Sequence, residues 1–219
     1  MVIFVCSCDV NRDIFEPFHH CMEKYWPDHP EVIYATEYLK NPYYRTISHI
    51  YSLVEWTRRI RESLSEIDDE EILLMIDDLF IRKPVDIQRI EYARTLLNGN
   101  VALVNFEKEY DDRNEDIGLN GFKRRKHGAP YELSLMCGLW DRDKLIDILQ
   151  TDRSPWAVEY AQETKGYDYL INSGDYIIDY GYFYGKHSGL KQGKWCREIV
   201  PFFEKEGIKM NYEMRGFYD

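Results

Sequence analysis

Two adjacent carboxylates, Asp77 and Asp78, interrupt the apolar run Ile72-Leu73-Leu74-Met75-Ile76, and Leu79-Phe80-Ile81 then restores it. A buried strand of an α/β sheet reads as a continuous apolar run. An unpaired carboxylate inside one costs several kcal/mol in lost solvation. At the carboxyl edge of a parallel sheet the same charges face the crevice where ligands bind. There, a carboxylate pair can hold a hard divalent cation that bridges the phosphates of a nucleotide. The competing reading is a turn or helix cap, both of which Asp favours. The apolar residues after Asp78 argue for a strand that passes through the carboxylates. Asp9, at the end of the first apolar run, is expected at the same sheet edge as Asp77.

Stepping outward, 219 residues with no Ser/Gly/Pro-rich linker suggest one domain spanning 1–219. Hydrophobic residues make up 44% of the chain, and 18 Tyr, 10 Phe and 5 Trp supply both core and material for a ligand cleft. A formal charge of −11 opposes a phosphate backbone as partner, so duplex nucleic acid is disfavoured. The local basic run Lys123-Arg124-Arg125-Lys126-His127 reads as a solvated loop or an anion contact. Five scattered cysteines without a C-x-x-C pair suggest reduced thiols and no zinc centre. No signal sequence or transmembrane segment is legible, and a cytoplasmic protein is expected.

The elements that must carry these residues follow from periodicity. Val2–Ser7 reads as a strand, Asp13–Tyr25 as a helix stopped by Pro27 and Pro30, and Val32–Thr36 as a strand. That βαβ opening favours a parallel sheet. Tyr51–Ile67 is helical and leads into the diacid strand; Pro84–Asn98 is a helix and Val101–Phe106 a strand. Residues Glu107–Pro130 read as a long polar loop, a candidate cover over a site. Tyr131–Leu139 is expected to be a strand, Asp141–Gln150 a helix, and Ser154-Pro155-Trp156 the capped start of another. Asp168–Tyr184 is expected to be β, and Trp195–Glu206 a short helix.

In order, Tyr25-Trp26-Pro27-Asp28, Trp56-Thr57-Arg58-Arg59, Ile76-Asp77-Asp78-Leu79-Phe80, Gly138-Leu139-Trp140, Ser154-Pro155-Trp156-Ala157-Val158-Glu159 and Gly193-Lys194-Trp195 resemble a family of small glycosyltransferase-like proteins. The resemblance runs through most of the chain. It implies a glycosyltransferase-A fold, a mostly parallel mixed α/β sheet flanked by helices, that binds a nucleotide sugar. Members are associated with bacterial polysaccharide or glycoconjugate synthesis and with phages. The resemblance makes Asp77 and Asp78 the acidic motif that holds Mg²⁺ or Mn²⁺ on a diphosphate, with Asp78 the direct ligand and Asp77 touching ribose or sugar hydroxyls.

Glu159 is the candidate catalytic base, since an inverting transfer needs a carboxylate to take the acceptor's proton. The family pattern usually carries another acidic residue where this chain has Ala157. Glu159 also reads as a solvated carboxylate on a helix dipole. Trp56 and Arg59 can stack on or pair with a nucleotide, although Trp56 suits a core equally. Lys194 and Arg215 are candidate cations for the diphosphate, and His187 can complete a metal shell or stand exposed in its Gly-rich loop. The expected activity is transfer of a sugar from a nucleotide donor to a hydroxyl acceptor on a glycan, glycoconjugate or modified base. The alternative is a non-catalytic module binding a sugar nucleotide or glycan on the same fold, and a nucleotidyltransferase is a third class using paired carboxylates.

Overall fold

The computed structural model describes residues 1–108, 112–181 and 189–218. Its centre is a nine-stranded mixed sheet. The strands are β1 (Val2–Cys6), β2 (Val32–Thr36), β3 (Arg45–Ser48), β4 (Glu71–Ile76), β5 (Val101–Lys108), β6 (Asn114–Glu115), β7 (Phe122–Arg125), β8 (Gly138–Asp141) and β9 (Asp168–Asn172). They lie in the order β3-β2-β1-β4-β8-β5-β9-β7-β6. Pairings of β1 with β2 and β4, of β2 with β3, and of β5 with β9 are parallel; β8 runs antiparallel between β4 and β5. Strands β4, β5 and β9 therefore share one direction, and their carboxyl ends share one edge with those of β1 and β2.

Strand alternation divides the core between the two faces of the sheet. Ile3, Val5, Leu73 and Met75 face helices α1 (Phe15–Tyr25), α3 (Ile87–Leu96) and α6 (Val200–Glu206). Val2, Phe4, Ile72 and Leu74 face α2 (Trp56–Ser65), α4 (Arg142–Ile148) and α5 (Pro155–Ala161). Ser154 caps its helix as the sequence suggests, and Asp86 and Asp141 likewise accept from first-turn amides. Gly138 lets β8 lie between its neighbours, since a Cβ there would overlap Leu103 and come within 3.1 Å of the Asn105 Cα. A small hairpin, β10 (Leu190–Lys191) and β11 (Lys194–Trp195), packs at the site edge.

Five expectations change. Strand β4 stops at Ile76 and the carboxylates occupy a turn, so the chain does not pass through them as a strand. Leu79, Phe80 and Ile81 are buried instead beneath the C-terminal region, where Phe80 packs on Trp195 and Phe203. The polar interval after Glu107 is not all loop, because β6 and β7 pair and β7 extends the sheet antiparallel to β9. Of Tyr131–Leu139 only Gly138–Leu139 is strand, and of the β expected over 168–184 only Asp168–Asn172 is strand among the described residues, 182–184 lying outside them. The basic run becomes structural: Arg124 pairs with Glu115 at 2.7 Å, buried Arg125 donates to Asn114, and His127 meets Glu132 at 2.8 Å.

Candidate functional site

Chain order sets the place where a ligand crevice is expected. From β1 the chain goes outward to β2 and β3, then returns to place β4 on the other side of β1. The gap beyond the carboxyl ends of β1 and β4 is thus a topological switch point, the place where open α/β sheets bind ligands. Asp77 and Asp78 leave β4 there, and Ser7 and Asn11 follow β1.

Asp77 is 2% exposed. Its carboxylate accepts from the Ser7 hydroxyl at 2.5 Å and from the Asn11 amide at 3.1 and 3.0 Å. Burial pushes its pKa up to about 7, Asp78 pushes in the same direction, and Ser7 and Asn11 oppose them. Asp78 is half-buried, and its pKa rises to about 6, again chiefly through burial, against the pull of the Leu190 amide, its own amide and the Arg215 charge. Burial is the largest cause for both carboxylates, and the Arg215 charge opposes it at each.

The surrounding residues tie the neighbouring loops together. Asp9 shares the edge, but its carboxylate accepts from the backbone amides of Glu37, Tyr38 and Leu39, which ties the loop after β2 to the loop after β1. Arg59 reaches from α2 into the same corner, pairs with Glu37 at 2.6 Å and donates to the Ser7 carbonyl at 2.8 Å. Trp56 is 7% exposed within the apolar cluster under α2, so its ring is core and leaves no open face for a base to stack on. Arg215 comes back from the C-terminal segment to Asp13, to the Val10 carbonyl at 2.9 Å and to the Asn11 side-chain oxygen at 3.0 Å. Lys194 stands exposed on the β10–β11 hairpin. His187 lies outside the described residues.

Glu159 belongs to the same edge. Because β8 is antiparallel to β4, the segment entering β8 lies beside the exit of β4, and Glu159 accepts from the Leu135 amide in that segment at 2.8 Å. Burial raises its pKa, Leu135 and Ser134 oppose the shift, and the nearby Glu107 charge adds to it. A raised carboxylate suits proton transfer near neutral pH. Ala157 sits in the first turn of α5, its amide on the Ser154 hydroxyl.

Sequence reasoning missed Ser7, Asn11 and Glu37. Ser7 and Asn11 touch Asp77 across 70 and 66 residues of sequence, and no local pattern carries that pairing. Among the described residues no group of three or more His, Cys, Asp or Glu side chains forms a ready metal cage.

Compared with protein-family models and with curated protein sequences, the chain matches none. Solved structures do match. S. aureus TarS 1–349 in complex with UDP aligns over 81% of this chain and 60% of its own, with a TM-score of 0.52 and 11% identity. A 4-diphosphocytidyl-2C-methyl-D-erythritol synthase aligns over 80% and 88%, with a TM-score of 0.46 and 13% identity. A nucleotidyl transferase from Methanothermobacter thermautotroptrophicus aligns over 80% and 88%, with a TM-score of 0.48 and 12% identity. At such identity the likeness is one of fold, and that fold is the nucleotide-diphospho-sugar transferase fold. No helix among the described residues is long and apolar enough to cross a membrane.

Proposed function

We propose that the protein is a metal-assisted glycosyltransferase that moves a sugar from a nucleotide-sugar donor to a hydroxyl acceptor. One observation carries the reading: two adjacent carboxylates, both with raised pKa, stand at the switch point of a nucleotide-diphospho-sugar transferase fold. Asp78, with Asp77 beside it, would hold Mg²⁺ or Mn²⁺. The donor set fits, because such ions commonly use one or two carboxylates and complete their shell with phosphate oxygens and water. When bound, the cation neutralises charge on the departing diphosphate.

The chain's own residues do the rest. Asp77, held by Ser7 and Asn11, offers a fixed acceptor for a ribose or sugar hydroxyl. Asp9, Arg59 and Arg215 hold the walls of the donor cleft together, and Lys194 brings an exposed ammonium to its rim. Glu159 takes the proton of the acceptor hydroxyl as that oxygen bonds to the anomeric carbon. The bond from that carbon to phosphate breaks, and its electron pair leaves with the nucleoside diphosphate.

The test compares the parent with Asp78→Ala for donor binding and donor hydrolysis, with and without Mn²⁺. Loss of metal-dependent binding and turnover supports the reading; unchanged behaviour of Asp78→Ala refutes it. Release of pyrophosphate instead of nucleoside diphosphate identifies a nucleotidyltransferase. Donor binding without transfer to any acceptor identifies a binding module.

A further inference from the structure

Helix α5 is seven residues long and carries Glu159 on one side. On another side, Trp156 and Tyr160 are one helical turn apart and share a face. They are 59% and 73% exposed, a large aromatic area to leave in water beside a candidate catalytic carboxylate. Tyr131 joins them. Its ring lies 6.4 Å from that of Tyr160 and is 45% exposed, and its backbone is in the left-handed region at φ 57°. That conformation costs a non-glycine residue roughly 1 kcal/mol or more, the kind of strain retained at ligand-binding surfaces. The helix is fixed in place: Arg153 donates its amide to Thr57 at 2.9 Å, and Gln162 and Glu159 bind the backbone of Leu133 and Leu135. The aromatic face is therefore anchored on the same short helix as Glu159.

The charges say what suits it. Glu107 lies close enough to Glu159 to raise its pKa; of the nearby cations, Arg153 is paired with Glu163, and Arg113 donates to the Pro130 carbonyl beside Tyr131. The neighbouring carboxylates Glu107 and Glu159 disfavour an anionic ligand next to the candidate base. Sugar rings offer apolar C–H faces to aromatic rings and hydroxyl donors to carboxylates, and they carry no charge to repel.

We propose that Tyr131, Trp156 and Tyr160 form the acceptor subsite and that the acceptor is an uncharged glycan, whose terminal hydroxyl they deliver to Glu159. The word acceptor rests on the transferase reading; glycan binding does not.

Of the five tryptophans, Trp26, Trp56, Trp140 and Trp195 are buried, so fluorescence quenchable by acrylamide reports on Trp156. Neutral hexasaccharides of glucose, xylose and N-acetylglucosamine, with heparin hexasaccharide and polyphosphate as anionic counterparts, serve as probes. The expected result is protection of Trp156 by at least one neutral probe and by neither anion. Trp156→Ala and Tyr160→Ala should each weaken that binding about tenfold, the worth of one aromatic contact, while the thermal shift given by nucleotide sugar with Mn²⁺ stays unchanged. Trp156→Phe, which keeps a ring, should lose the quenchable signal and retain binding by calorimetry. Protection by an anion, or no protection by any neutral probe, overturns the proposal even where donor binding is intact. Neutral-probe protection without donor binding overturns the transferase reading and leaves the glycan subsite standing.

Discussion

Asp77 is ionised at a cost. Its pKa moves from the ordinary 3.8 up to about 7, so between those values the folded state holds a proton that the unfolded chain has released. Stability from this group is therefore greatest below the unfolded value and falls as pH rises through the folded one. Asp77→Asn keeps an acceptor oxygen for Ser7 and Asn11 and removes the charge. It is expected to melt above the parent at about pH 8 by a few kcal/mol at most, with the gain gone at about pH 4. Equal melting of the two proteins at both pH values would show that this carboxylate carries no strain. Glu159→Gln tests the opposite property at the same scale. If the residue is the base, transfer drops by about 10²–10⁴ while donor affinity is untouched, and steady-state kinetics beside a donor titration separate the two.

Between elements, the chain entering the β10–β11 hairpin comes close to the exit of β4. A Cβ on Gly189 would overlap the Phe80 ring and lie 3.3 Å from the Asp78 carbonyl oxygen, and Phe80 is held by Trp195 and Phe203. Gly189→Ala must push the hairpin outward and draw the Leu190 amide away from Asp78. Donor affinity is expected to fall about tenfold, with a stability loss of roughly 1–3 kcal/mol from overpacking; unchanged affinity would show that the hairpin does not shape the site. This contact also explains what could be read beforehand. Strands β1, β2 and β5 and helices α1 and α3 were legible because one periodicity and one set of breakers governed each. Leu79-Phe80-Ile81 misled because apolar residues report burial, which a hairpin from over a hundred residues later supplies here. Strand β7 was hidden because its sequence Phe-Lys-Arg-Arg is charged, as strands near a sheet edge tend to be. The diacid and Glu159 were visible as residue types, whereas Ser7, Asn11 and Glu37 become site residues only when β1, β2 and β4 are neighbours.

Across the whole molecule, the candidate cleft is assembled from distant parts of the sequence. Arg215 binds Asp13 and Asn11 from some 200 residues away, Arg59 reaches Ser7, and Asp9 holds the loop that begins at Glu37. On the proposed reading a donor bound there would contact segments near both ends and the middle of the chain, and its binding would stabilise them together. A ligand confined to the native state at about 100 times its dissociation constant adds about 2.7 kcal/mol. For a chain of this size, that raises the melting temperature by roughly 5–10 °C. Nucleotide sugar with Mn²⁺ is expected to move one cooperative transition by this amount, and neither component alone should do so. Two transitions, of which the ligand moves one, would instead show that residues 1–219 melt as separate units and that the cleft belongs to one of them. A single transition displaced as a whole ties the C-terminal Arg215 segment to the same folding unit as the diacid turn it helps to enclose.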